Sequence, residues 1–246
     1  MDKNIDFVAY FPQKMSIWRF VVAGKARQLS EVYDETLAVS KTVLDACEGF
    51  FIPTEADYSL RIYPEDMPAN GYYLQHIQPL HLERKDIQLK NGIVYTDLIK
   101  DIQSAETGKD IVKNIGQLRF LAGKTKFILK ANEKYLDRHS ELYLTWDYDE
   151  VSSEPPSDDP ILLEIQQSMS KDRGESVTIT DHAYYDIVFR TFTDIWFENT
   201  EIGVLNRDRL RHVFKTILEK YEVVDTSFFS DWFSEEKLKN IAFIDQ

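Results

Sequence analysis

Residues 7–24, FVAYFPQKMSIWRFVVAG, decide the fold class of this chain. The stretch predicts two strands separated by a turn at residues 12–14. In the second strand, side chains alternate between a face that includes Arg19 and a face that is apolar throughout. Because even the first face is largely apolar, we expect this strand to lie in the interior of a sheet.

The strand pattern continues beyond this stretch. Residues 71–84 predict a strand, and Pro79 places it at a sheet edge or at a bulge because proline cannot donate to a strand ladder. Asn91 and Gly92 tolerate positive φ and predict a hairpin turn. The apolar residues between 111 and 121 follow a helical spacing, which predicts a helix there.

The chain is expected to divide at an acidic segment. Residues 1–150 predict an α+β domain in which helices cover a mainly antiparallel sheet. Residues 151–160 are rich in proline, serine and acids, which is typical of a linker or loop. Residues 161–246 predict a mainly helical region because apolar side chains recur at helical spacing, as in 184–196. The acidic segment either separates two domains or is a loop within one.

Composition limits the classes of partner. The 246 residues carry a net charge of −13, from 42 acidic residues against 29 Lys and Arg. An acidic surface repels nucleic acids and anionic membranes and attracts basic proteins. The sequence shows neither a signal peptide nor an apolar membrane span, and Cys47 is its only cysteine. We therefore expect a cytoplasmic protein with no metal, no other cofactor and no membrane partner.

Two groups of side chains are candidates for binding a partner. The first is an acidic pair, Asp147 and Asp149, on one face of a predicted strand, which is typical of a solvated negative patch. The second is the aromatic end of the chain, which can supply anchors for a partner: Phe228, Phe229, Trp232 and Phe233. Together they predict a non-enzymatic binding protein that engages a basic protein, such as an inhibitor, an immunity-type protein, an adaptor or a viral accessory protein.

Residues 206–212, NRDRLRH, open an apolar-periodic helix and provide the alternative. Arg207, Asp208 and His212 resemble the R-x4-6-H signature of HEPN ribonucleases. That resemblance implies metal-independent cleavage of RNA by a homodimer built on a helical bundle. His212 would move the proton of the ribose 2′-hydroxyl, and Arg207 would stabilise the charged transition state.

In both interpretations of this stretch Asp208 pairs with His212. In the ribonuclease the pair would orient the His212 ring, and on an ordinary solvated helix face it would be a surface contact. Val213 departs from the family pattern, because many members have glycine directly after the histidine.

Overall fold

The structure is a computed structural model that describes residues 15–48, 51–53, 55–69, 78–89, 94–105, 112–121, 124–127, 136–139, 161–168, 183–191, 195–197, 201–231 and 233–243. Ten strands are found in these ranges: β1 Ser16–Ala23, β2 Phe51–Ile52, β3 Glu55–Tyr63, β4 Leu80–Gln88, β5 Val112–Leu121, β6 Lys124–Phe127, β7 Leu136–His139, β8 Ile161–Ser168, β9 Tyr184–Thr191 and β10 Val223–Ser230. Four α-helices and one 3-10 helix accompany them: α1 Leu29–Ala46, α2 Val94–Ser104, α3 Glu201–Lys220, α4 Glu235–Ala242 and the 3-10 helix Ile195–Phe197.

The fold is α+β, with a seven-stranded antiparallel sheet as its main element. The strand order is β10-β1-β9-β8-β5-β3-β4, and a separate small sheet has the order β2-β6-β7. The interior position predicted for β1 is confirmed, since β10 and β9 flank it. The edge position predicted from Pro79 is also confirmed, since β4 is the last strand of the sheet.

The predicted helical C-terminal region is wrong for three segments. Residues 161–168, 184–191 and 223–230 are strands, and within the helix predicted at 111–121 the described residues Val112–Leu121 form a strand too. In β9 every residue except Arg190 is buried, and β1 and β8 pair with this strand on either side. One face of β9 mixes the apolar Val188 with Asp186 and Arg190, which blurs the two-residue period, so the sequence also fits a helical spacing.

The hairpin predicted at Asn91 and Gly92 lies outside the described residues, and α2 begins at Val94 where its second strand was expected. The acidic segment 151–160 lies outside them as well, so its role as a linker or loop stays a prediction. The strands on both sides of that segment share one sheet, because β1 lies between β10 and β9.

Helices α3 and α4 cover the apolar face of β1. The fully buried Trp18 packs against Phe214 of α3 with ring centroids 5.6 Å apart. Its indole Nε1 donates to the carbonyl oxygen of Leu238 in α4 at 3.2 Å. Phe20 and Phe189 pack on the same Phe214 ring, at 5.1 and 5.7 Å. Aromatic contacts therefore join two strands to α3, and the Trp18 hydrogen bond adds α4 at this end of the core.

Helices α1 and α2 are tied to the same face by buried tyrosines. The hydroxyl of Tyr185 in β9 donates to Glu35 of α1 at 2.7 Å. The hydroxyl of Tyr58 in β3 donates to Asp101 of α2, also at 2.7 Å. Burial, together with the Asp101 carboxylate, raises the pKa of Tyr58 to about 12, so its hydroxyl stays protonated and donates at neutral pH.

Candidate partner-binding surface

The face of the large sheet opposite the four helices is mixed, because polar side chains alternate there with buried apolar ones such as Val21 and Val188. It is built from the side chains that alternate with the core residues, such as Arg19 between Trp18 and Phe20. Arg19 lies between two strands and reaches a carboxylate on each: Asp186 of β9 at 2.7 Å and Asp225 of β10 at 3.5 Å. Gln166 of β8 also donates to Asp186, at 3.4 Å. Cross-strand pairs therefore link four adjacent strands on this face.

A second chain of ion pairs crosses the middle of the same face. The Glu164 side chain is only 7% exposed and lies between Arg119 and Arg190, at 3.8 and 3.9 Å. Arg119 also contacts Asp57 of β3 at 3.6 Å. Among the described residues neither arginine Nε has a hydrogen-bond partner. These carboxylates are neutralised within the sheet, so the middle of the face does not offer free negative charge.

Exposed acidic side chains and an exposed aromatic ring occur together at the β10 end of the face. Asp225, Ser227 and Phe229 alternate along β10 on the face opposite the four described helices, and we call these three residues the β10 surface. The Asp225 side chain is 47% exposed and Phe229 is 52% exposed. Residues 222–231 add two further exposed acids, Glu222 and Asp231, and include no Lys or Arg. An exposed aromatic side chain can anchor a macromolecular partner, and acids on the same strand favour a basic one.

The aromatic end of the chain separates into core and surface residues. Phe228 is buried, with its ring packed edge-on against Phe20 and Phe243 at 6.1 and 5.7 Å. Strand alternation then places Phe229 outward, which the predicted helical spacing of this segment did not anticipate. The structure thus assigns Phe228 to the core instead of to a contact surface.

Phe233 follows β10 and is half-buried. Its ring stacks on that of Phe197, with centroids 3.8 Å apart, and the Lys237 ammonium lies 4.5 Å from the Phe233 centroid. These contacts join the 3-10 helix to the start of α4, so the Phe233 ring contributes to packing within the fold. Three of the predicted partner-binding residues lie outside the described residues, so their roles stay predictions: Asp147, Asp149 and Trp232.

The stretch that resembles the ribonuclease signature lies on α3. Arg207 donates to the carbonyl oxygen of Trp196 at 3.0 Å and so links α3 to the 3-10 helix. The predicted pairing of Asp208 with His212 is wrong, because Asp208 accepts from Arg211 at 3.2 Å instead. His212 is exposed. Helix α3 packs on an antiparallel sheet, whereas the family resemblance implied a helical bundle.

A shallow pocket opens beside the start of α1. Its volume is about 360 Å³, and it is lined by Ser30, Tyr33, Gln103, Val112 and Lys113. The Ser30 hydroxyl donates to Asp66 at 2.6 Å, and the Lys113 ammonium donates to the carbonyl oxygen of Ala105 at 2.9 Å. Two of its polar groups therefore already make contacts that hold α1 and β5 in place.

Comparisons with protein-family models, with curated proteins and with solved structures found no match. In the part of the chain that the structure describes, no helix has the length and apolarity needed to cross a membrane. Within the same residues, no three His, Cys, Asp or Glu side chains are placed to hold a metal ion. The geometry of the site is therefore the basis for any functional assignment.

Proposed function

We propose that this chain is a non-enzymatic binding protein that engages a basic protein partner through the β10 surface. The observation that carries the proposal is the half-exposed Phe229 four positions along β10 from the half-exposed Asp225, in a segment, residues 222–231, whose charges are all negative. Phe229 supplies the apolar anchor, and the acids select a basic partner and accelerate its association.

The ribonuclease alternative draws no support from these contacts. Arg207 is engaged with the Trp196 carbonyl, and Asp208 is engaged with Arg211, so neither is arranged around His212.

The binding function also fits a cytoplasmic location, which remains part of the proposal. Cys47 is buried, and burial raises the pKa of its thiol, so that it serves as a protonated core side chain.

Affinity capture with matched variants tests the proposal. Wild-type protein, Phe229→Ser and Asp225→Asn are each immobilised and exposed to an extract of cells that naturally express the chain. Leu80→Ser is the control, since Leu80 is 73% exposed on β4 at the opposite edge of the sheet. We expect a basic protein that wild type and the control retain equally, and that Phe229→Ser retains at least about tenfold less.

The acidic part of the surface predicts a salt effect in the same experiment. Asp225→Asn is expected to weaken retention less than Phe229→Ser, and raising the ionic strength should release the partner because exposed charges are screened. If Leu80→Ser loses the retained proteins as strongly as Phe229→Ser does, the β10 surface is not the binding site. If the proteins that wild type retains are acidic, the proposed binding of a basic partner through this surface is wrong.

A further inference from the structure

The Phe229 side chain is an aromatic ring that the fold itself leaves unused. It is about half exposed, and in the part of the chain that the structure describes neither a second aromatic ring nor a cation contacts it. The adjacent Phe228, by contrast, is buried and packs edge-on against two other rings. Ile17 of β1 lies directly opposite Phe229 in the register and so flanks the ring on one side. The remaining ring surface faces solvent.

A cation already lies over the nearby ring of Phe233. The Lys237 ammonium is 4.5 Å from the Phe233 centroid and 5.1 Å from the Phe197 centroid. A cation within about 6 Å of a ring centroid is attracted by the negative potential of the ring face. Phe229 lies four residues before Phe233 and has no such cation among the described residues.

Arg19, on the strand that pairs with β10, is held away from Phe229. Its guanidinium contacts Asp186 at 2.7 Å and Asp225 at 3.5 Å. Both carboxylates belong to residues that lie opposite Val21, on either side of β1. Phe229 lies in the other direction along the strands, since it pairs with the residue two positions before Arg19. A cation on the Phe229 ring would therefore come from another molecule instead of from Arg19.

Asp231 is the unpaired acid beside this ring. It is exposed, and among the described residues its carboxylate has neither a hydrogen-bond nor an ion-pair partner. Asp225 is different, because it accepts from the N–H of Thr226 at 2.8 Å and contacts Arg19. Asp231 follows Phe229 by two residues, so their Cα atoms are at most about 7 Å apart. A long side chain placed on the ring is within reach of this carboxylate.

Arginine is the basic side chain that suits this pair of groups best. Its planar guanidinium stacks on aromatic faces, and its fork of N–H donors matches a carboxylate. Its apolar stem can cover the apolar surface that Ile17 adds next to the ring. The ammonium of lysine is compact and strongly hydrated, so it offers less to an aromatic ring.

We propose that the basic partner places an arginine on Phe229, with the guanidinium stacked on the ring and donating to Asp231. This contact rests on the proposed function and specifies the residue that the β10 surface recognises. Phe229 then anchors the partner through its π face as well as through apolar contact. The surface selects arginine over lysine at this point.

The test measures the preference for arginine over lysine with the full chain. A labelled heptapeptide with arginine at its even positions and glycine at its odd positions is compared with a peptide that has lysine in place of arginine. Both peptides carry the same charge, so general attraction to an acidic protein cancels in the ratio of their affinities. We expect fluorescence anisotropy at low salt to show that wild type binds the arginine peptide about threefold more tightly.

Two substitutions of Phe229 separate its ring face from its apolarity. Phe229→Leu keeps an apolar side chain and removes the π face, so the two peptides should bind this variant with equal affinity. Phe229→Tyr keeps the ring and should retain the preference for arginine. Thermal unfolding of both variants checks that each remains folded.

A matched pair of charge substitutions tests the role of Asp231. Asp231→Asn removes the proposed acceptor of the guanidinium and should lower the preference for arginine. Glu222→Gln removes the same charge from an exposed residue at the opposite end of β10. It should weaken both peptides to the same extent and leave the ratio of their affinities unchanged.

Three results would overturn the arginine contact: no binding of either peptide to wild type, equal affinities of the two peptides for wild type, or a preference for arginine that Phe229→Leu retains. The proposed function would survive any of them if a basic protein is still captured by wild type and lost from Phe229→Ser. Retention of that protein by Phe229→Ser would instead contradict the proposed function itself.

Discussion

Replacing Trp18 with alanine is expected to lower the free energy of unfolding by about 4 kcal/mol, the largest loss we expect from a single substitution. Trp18 is fully buried at the point where β1, α3 and α4 meet. Its ring packs on Phe214 and Phe197, at 5.6 and 6.2 Å, and its Nε1 donates to the Leu238 carbonyl. The substitution removes all of these contacts and leaves a cavity that rigid neighbours cannot fill.

Urea unfolding monitored by circular dichroism measures this change. Trp18→Phe is the matched control, because it keeps most of the ring contacts and removes the indole donor that Leu238 accepts from. We expect it to lose about 1–2 kcal/mol, half the effect of alanine or less. A loss below about 1 kcal/mol for Trp18→Ala would mean that Trp18 is not at the centre of the core.

Replacing Glu35 with alanine is expected to lower the free energy of unfolding by about 3 kcal/mol. The Glu35 carboxylate accepts hydrogen bonds from the backbone N–H groups of Lys25 and Ala26, at 2.7 and 2.9 Å. It also accepts from the Tyr185 hydroxyl at 2.7 Å. Burial and the nearby carboxylate raise the pKa of Tyr185, so the hydroxyl stays a donor. Without Glu35 these three donors lose their common acceptor. Because the Tyr185 hydroxyl lies in the core, it is left there as an unsatisfied donor.

The neighbouring Asp34 on α1 provides the control for Glu35. Asp34 is exposed, and Asp34→Ala should change stability by no more than about 0.5 kcal/mol. Chemical denaturation at neutral pH compares the two variants under identical conditions. Equal stability of Glu35→Ala and Asp34→Ala would show that Glu35 does not brace the connection between β1 and α1.

Parts of the fold could be predicted because local sequence and final environment agree. β1 alternates regularly and is apolar enough to lie inside the sheet, and Pro79 marks the strand that lies at the edge. β5 and β9 could not be assigned in the same way. Both lie between neighbouring strands of the sheet, and the spacing of their apolar residues fits a helix as well as a strand.

Only part of the candidate surface could be predicted from the sequence. The aromatic run at 228–233 stands out by composition, but only the strand geometry of β10 separates the buried Phe228 from the exposed Phe229. The contact of Arg19 with Asp186 joins residues 167 positions apart along the chain. No local pattern reports such a pair, because it depends on which strands become neighbours in the sheet.

Site-specific photo-crosslinking most directly tests the claim that the β10 surface binds a basic protein. A benzophenone amino acid replaces Phe229 in one variant and Leu80 in a second, and each is expressed in cells that naturally contain the chain. We predict a discrete crosslinked species from position 229 that mass spectrometry identifies as a basic protein, with no such species from position 80. Crosslinks from position 80 alone, or identical crosslinks from both positions, would contradict the claim.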